Sequence, residues 1–378
     1  TAVSRGVSKR SPRGRITTPW VITAEPPLQR SVRQRRAPVT ASKAAAPREK
    51  ISRGGIGWAL TAIVVDHLTV SRAAAGLGVS WHTANTAILA EGKRRLIDDP
   101  TRFDGATTIG VDEHVWRHVG PPGTGLVTGI VDHSRGEDGR PRARLLDLVP
   151  GRTGAAYGDW LTEQGPAFTS GIRTATLDPF HGYANAIRDE LPEAITVLDA
   201  FHVVKLGTQA VDEVRRRVQQ EIHGHRGRKD DPLYSARRTL HTGAELLTDK
   251  QAARLRTLFG AEEHVEVEAT WGIYQRMIAA YRHPDRREGR ALMTAVIDSV
   301  TRGVPTALSE LVTLGRTLTK RAEDVLAFFD LPGTSNGPTE AINGRLEHLR
   351  GIALGFRNLK HYILRSLIHS GQLQNRIN

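Results

Sequence analysis

Five short runs of β-type residues stand between Thr107 and Leu198, separated by turns and two helical stretches. Thr107–Val111, Gly125–Val131 and Arg144–Val149 come first, spaced as consecutive antiparallel strands. Thr153–Glu163 is helical in pattern, Gly171–Leu177 is again β-type, Phe180–Leu191 is helical, and Ala194–Leu198 closes the series. This order, β-β-β-α-β-α-β, restricts the possible topologies more than any other feature of the chain. The first three strands can pair through hairpins. The last two are each reached through a helix, and such crossovers make parallel neighbours of fixed hand. From Val203 to Asp330 there are few strand signals and several helical stretches, among them Val211–Ile222, Lys250–Phe259, Trp271–Ala280 and Arg290–Val300.

The strand order matches the ribonuclease H-like fold. The expected class is therefore α/β: a ribonuclease H-like mixed sheet interrupted by a large all-helical insertion and preceded by a helix–turn–helix module. In such a sheet the first and fourth strands are neighbours. Asp112 lies on the first run and Asp178 ends the fourth, so two carboxylates remote in sequence are expected to meet. Two like charges in proximity repel and call for a cation. Hard oxygen ligands suit Mg²⁺, and two ions can stabilise both the attacking and the leaving oxygen of a phosphodiester displacement. Strand-end aspartates also cap turns with no metal at all, and Asp104, Asp132 and Asp147 show how common aspartate is here. A third carboxylate would separate these readings. Asn336, Gly337 and Pro338 signal a helix start, and Glu340 falls in its first turn with Asn343, Gly344 and Glu347 on about the same face.

Ahead of the sheet, Ile56–Leu68 has a helical pattern, and Val70–Leu96 reads as helix, tight turn, helix. Gly78 occupies the turn and Ser80 is the N-cap expected for the second helix. Arg72, Ser80, Trp81, His82, Thr83 and Asn85 are then expected to be exposed where a helix–turn–helix meets DNA. An ordinary helical hairpin is the alternative. In the helical insertion, His223–Pro232 reads as an exposed loop carrying Arg226, Arg228 and Lys229, with Arg215, Arg216, Arg217, Arg237 and Arg238 nearby. They form either a grip on the DNA backbone or a solvated face.

Charge is concentrated at one end. The chain has 378 residues and a net charge of +13, and residues 1–50 hold twelve basic against two acidic side chains, a net +10. That segment lacks apolar periodicity and reads as a disordered tail, serving either as a phosphate-binding arm or as an uninformative leader. The chain has no cysteine, which excludes disulfides, thiolate zinc sites and cysteine nucleophiles. The longest apolar run, near Gly57–Val65, is about half of the ~18 residues a membrane span needs. No signal-peptide pattern opens the chain, which begins at Thr1; a soluble, intracellular protein, as a fragment or whole, is expected.

Four ordered segments carry a family resemblance: TTIGVDEHVWRH (Thr107–His118), ATLDPFHGYANAI (Ala175–Ile187), VLDAFHVVKL (Val197–Leu206) and TSNGPTEAINGRLEHLRG (Thr334–Gly351). Together they resemble bacterial insertion-sequence transposases of the DDE type, specifically the ISL-three family, over about residues 51–375. The resemblance implies that Asp112, Asp178 and Glu340 are the catalytic, metal-binding triad, with two Mg²⁺ or Mn²⁺ ions as cofactors. It implies cleavage at transposon ends followed by strand transfer into target DNA. The partners implied are double-stranded DNA and a second copy of the chain, in the bacterial cytoplasm at the nucleoid. His114 and Arg345 are nearby candidates for orienting phosphate. Asp199 and His202 match the family's Cys/Asp-x-x-His signature, which suggests a role in organising the active site or flanking DNA. Trp271, within the insertion, is either a core residue or a platform for a flipped base. The family's usual Cys-rich segment ahead of the helix–turn–helix has no counterpart in residues 1–50. The domain organisation expected is a basic tail (1–50), a helix–turn–helix module (51–100), a first catalytic part (101–202), a helical insertion (203–330) and a C-terminal catalytic helix region (331–378). A different ribonuclease H-like nuclease and a non-catalytic helix–turn–helix DNA-binding protein are the rival readings.

Overall fold

The computed structural model describes residues 50–377 apart from positions 122, 137 and 141. The expected basic arm, except Lys50, lies outside the described residues. The chain first forms three short helices, α1 (Arg53–Val64), α2 (Val70–Gly76) and α3 (Trp81–Gly92). Each begins at a hydroxyl residue that accepts a backbone N–H: Ser52 from Gly55, Thr69 from Arg72, and Ser80 from Thr83. Gly78, at φ +65°, makes the turn between α2 and α3. α1 stops four residues before the expected Leu68 because the chain reverses at His67, which takes φ 53°.

Five strands follow: β1 (Thr108–Val115), β2 (Leu126–Asp132), β3 (Arg144–Pro150), β4 (Thr174–Leu177) and β5 (Ile195–Leu198). Their order in the sheet is β3-β2-β1-β4-β5, so β1 and β4 are neighbours as expected. β1 pairs with β2, and β2 with β3, antiparallel; β1–β4 and β4–β5 are parallel. α4 (Gly154–Gln164), the unanticipated single turn α5 (Pro166–Thr169) and α6 (His181–Glu190) connect the strands. β1 runs four residues beyond its predicted end, which puts Asp112 inside the strand, opposite Gly129 of β2.

The two faces of the sheet are covered by different parts of the chain. Ile109, Val111, Ile130 and Leu146 pack with Tyr157 and Leu161 of α4 and Tyr183 and Ile187 of α6. Val127, Val131, Leu145 and Leu148 face the other way. Against them lie α14 (Gly337–Ile352) through Ile342 and Leu346, and α15 (Leu359–Ser370) through Tyr362 and Ile368. The N-terminal helices share this second core through Leu60, Ile63 and Ile88. Gly92 is needed there, because a Cβ would stand 2.4 Å from Ile368.

Between β5 and α14 the chain is helical: α7 (Ala200–His223), α8 (Pro232–Leu240), α9 (Asp249–Phe259), α10 (Val265–Arg282), α11 (Arg286–Thr301), α12 (Ser309–Lys320) and α13 (Ala322–Asp330). Helical stretches were expected over 203–330; the helices begin at Ala200, directly after β5. Gly207 lets α7 approach Met277 of α10, whose sulfur would lie 3.0 Å from an added Cβ. Arg217 joins three helices, reaching Glu266 of α10 at 2.6 Å and Glu310 of α12 at 2.8 Å. None of the described helices is long and apolar enough to cross a membrane.

Candidate active site

Strand register builds the site. Val111 of β1 pairs with Leu177 of β4, and Leu177 with Leu198 of β5. The next residues along these three parallel strands are Asp112, Asp178 and Asp199, so three aspartates form one row across adjacent strands. The sequence reading paired the first two and set Asp199 aside as auxiliary. Its place in the row was available from the repeated pattern of a β-type run ending in Leu-Asp, present in both ATLDPF and TVLDAF.

α14 lies over this row, held by buried polar groups. Asn336 is fully buried at the helix start. Its backbone N–H donates to Asp199 Oδ1 (2.9 Å), and its Oδ1 accepts from Thr176 Oγ1 of β4 (3.0 Å). One turn on, Thr339 Oγ1 meets His133 Nε2 at 2.7 Å. His133 Nδ1 lies 3.3 Å from Thr176 Oγ1. Burial pushes the His133 imidazole down to about 4, so it is neutral and can both donate and accept. Gly110 makes this contact possible, since a Cβ there would stand 2.3 Å from both the His133 ring and Thr339 Oγ1. Further along α14, Asn343 Nδ2 donates to Asp112 Oδ2 (3.1 Å).

The electrostatics of the row are uneven. Burial, and then the charge of Asp178, push Asp112 up to about 6, and burial also raises Asp178. Asp199 is different. Burial acts upward on it, but the bonds from His202 and from the Asn336 N–H outweigh this and hold it low. His202, in the first turn of α7, is raised by its bond to Asp199 (Nδ1 to Oδ2 3.3 Å) and by the charges of Asp178 and Asp112. One ligand atom each of Asp199, His202 and Glu340 lie within 4.8 Å of one another. Glu340 is exposed, and it groups with this pair. A half-buried like-charged pair beside a carboxylate–imidazole–carboxylate group is a donor set, mostly oxygen, that suits a hard divalent cation.

The other expected residues are distributed as follows. Arg72, Ser80, Trp81 and His82 are exposed and Thr83 is half-buried. Asn85 is corrected: it is 7% exposed, because it falls beside Ala84 and Ile88 on the inner side of α3. Arg215 is corrected too: it is 4% exposed, and its guanidinium is committed to Asp212 (3.1 Å) and Gln219. Arg216, Arg226, Arg228 and Lys229 are exposed, with Arg216 paired to Asp212 at 3.2 Å. Trp271 is half-buried and packs against Phe259, ring centroids 5.4 Å apart. His114 does not face an open phosphate site; it is buried, and its Nε2 lies 2.6 Å from Tyr362 Oη. Sequence reasoning singled out none of His133, Thr176 and Thr339, although the last two lie inside the segments Ala175–Ile187 and Thr334–Gly351, and took Asn336 only as a helix start.

Comparison with known proteins is consistent across most of the chain. A family model described as transposase, of the ISL-three DDE type, matches residues 109–366, from β1 into α15. The transposase for insertion sequence element IS1557 of Mycobacterium tuberculosis, in two strains, is 24% identical over 306 residues, covering 74% of this chain. The chain spans 63% of the length of those curated relatives. Among solved structures, the Drosophila P element transposase strand transfer complex aligns with a TM-score of 0.48 and 8% identity, covering 89% of this chain and 95% of that one.

Proposed function

The chain belongs to the ISL-three family of DDE transposases, and from that premise we propose that it cuts DNA at transposon ends, freeing a 3′-hydroxyl, and joins that end to target DNA at the same site. The observation that carries this reading is the row Asp112, Asp178 and Asp199 on adjacent parallel strands, with Glu340 set above it by α14. We take the sheet to be ribonuclease H-like on its strand order, and α2–α3 to be a helix–turn–helix whose exposed Arg72, Trp81 and His82 meet duplex DNA.

In this reading Asp112, Asp178 and Glu340 hold two divalent ions, with Asp199 and His202 bordering them. Bound there, Mg²⁺ or Mn²⁺ would stabilise charge on the attacking and leaving oxygens of the phosphodiester. Asn343 fixes one oxygen of Asp112, and the Glu113 N–H fixes the other (2.8 Å). His202, raised by three carboxylates, offsets their negative charge when it is protonated. Asn336 ties Asp199 to the start of α14, so the position of Glu340 depends on the same contact that orients Asp199. No side chain needs to bond covalently to DNA. The exposed Arg226, Arg228 and Lys229 supply phosphate contacts along the insertion. A second copy brings the second transposon end, and the setting is the bacterial cytoplasm at the nucleoid.

The test is Mg²⁺- or Mn²⁺-dependent cleavage of labelled DNA carrying the ends of the parent element. We expect nicked and strand-transfer products with the unaltered chain and neither with Glu340→Ala. Cleavage without strand transfer would favour a hydrolytic nuclease. DNA binding with no cleavage under either ion would reduce the chain to a binding protein.

A further inference from the structure

Away from the aspartate row, α3 and the turn between α14 and α15 enclose a cavity of about 800 Å³. Its lining includes the two most exposed large apolar side chains among the described residues, Leu354 (96%) and Val119 (79%), together with Trp81 (51%). Leu354 is held at φ 55°, in the left-handed region that disfavours a branched side chain. The turn is fixed by the Leu354 N–H to the Gly351 carbonyl (3.1 Å) and the Gly355 N–H to the Arg350 carbonyl (2.9 Å). The turn caps α14; glycine usually takes this left-handed position, so a fully exposed leucine there is a choice that the capping alone does not require.

The second observation comes from inside. Arg365 of α15 lines the cavity and is 5% exposed, yet its Nη1 has no hydrogen-bond partner among the described residues. Burial lowers its guanidinium only to about 10, so it remains charged at neutral pH. A buried, charged donor without an acceptor is costly and points to a ligand that supplies one. Arg117 and Arg357 also line the cavity, and no acidic residue does among the described residues.

We propose that this cavity receives a single unstacked nucleotide of a DNA strand, its base against Trp81 and Leu354 and its acceptor atoms on Arg365. The inference rests on the DNA-handling reading above. A nucleotide is the chemistry that meets both halves of the site, having flat apolar faces and an anionic phosphate. The volume is within the range of small-ligand pockets. Stacking on an aromatic face is tolerant of base identity, and the forked guanidinium matches either base-edge acceptors or phosphate oxygens. An apolar peptide would cover the rim and leave three guanidinium groups unanswered. Because the cavity is concave, it takes one extruded nucleotide rather than the edge of an intact duplex; Trp81 then meets the unstacked base, while Arg72 and His82 stay exposed to the duplex beside it.

Fluorescence-anisotropy titration of the full chain in EDTA, where no strand is cut, tests this. Two labelled duplexes are compared, identical except that one carries a single unpaired thymidine. The unpaired duplex should bind about tenfold tighter, and Leu354→Ser and Arg365→Met should each bring the ratio of affinities close to one. Leu354 is at the surface, so its variant keeps the test decisive even if Arg365→Met fails to fold. Equal binding of the two duplexes by the unaltered chain, or a preference that survives Leu354→Ser, overturns the proposal and leaves the transposase reading standing. Failure to bind either duplex overturns both. Thymidine monophosphate should compete for the unpaired duplex. If it binds tightly and the unpaired duplex does not displace it, the ligand is a free nucleotide and the strand assignment is wrong.

Discussion

Asp112 shows what the site asks of a single residue. The folded protein holds its carboxyl at about 6, by burial first and by Asp178 second. That is above the value of about 3.9 for an aspartate in an unfolded chain. The metal-free folded state therefore binds this proton more tightly than the unfolded state does. The associated stability is present in full below about pH 4 and is lost as pH rises through about 6. Since Asp112 is only partly buried, the expected loss is about 1–2 kcal/mol. In thermal melts in EDTA, the midpoint contribution of this group should fall by a few degrees between pH 5 and 7.5. Asp112→Asn should remove most of that slope, raise the metal-free midpoint at pH 7.5, and reduce cleavage by at least about 10²–10³. Added Mg²⁺ at pH 7.5 should stabilise the unaltered chain more than the variant. A variant that melts lower than the parent at pH 7.5 without metal would mean that Asp112 is not under electrostatic strain.

At the scale of an element, the question is how α14 is seated. Its apolar residues Ile342, Leu346 and Leu349 bury it on the sheet, but they do not define its position along the strands. The His133–Thr339 and Asn336–Asp199 contacts do, and Gly110 makes room for them. Gly110→Ala should cost about 1–3 kcal/mol in urea denaturation and lower cleavage beyond what lost stability explains, because Glu340 moves with the helix. Gly344→Ala, on the same helix with nothing within 4 Å of the added Cβ, should instead stabilise by about 0.5–1 kcal/mol. If the two variants lose stability equally, the close approach at Gly110 is not what seats the helix. This contrast also separates what was legible in the sequence from what was not. Strand order followed from local alternation and from turns, which neighbouring residues specify. The start of α14 followed from Asn336, Gly337 and Pro338. The contact between His133 and Thr339 joins the residue just after β2 to a helix about two hundred residues later, and no short-range pattern encodes it. Asn85 and Arg215 were misjudged for the related reason that polar residue type was read as exposure; one falls on the inward side of its helix, and the other is neutralised by Asp212.

For the whole molecule, charge and fold are separately distributed. Residues 1–50 hold a net +10 of the chain's +13, so the remaining residues are close to balanced. Within the body many arginines are already engaged: Arg144 with Asp132, Arg217 with Glu266 and Glu310, Arg102 with Asp147. Other cations, among them Arg72, Arg173, Arg226, Arg228, Lys229, Arg254, Arg316 and Lys320, are exposed, but acidic side chains nearly balance them over the body. Long-range attraction to DNA should therefore depend chiefly on the tail, while positioning depends on the folded body. Each phosphate neutralised contributes about 0.9 to the slope of log affinity against log salt. Removing residues 1–49 should lower that slope by several units and weaken binding most at low salt. At saturating DNA the cleavage rate should remain within a few-fold, because every carboxylate of the site lies between β1 and α14. A salt slope that survives the deletion unchanged would place the phosphate contacts on the body, and the exposed loop after α7 would then be the first place to remove charge.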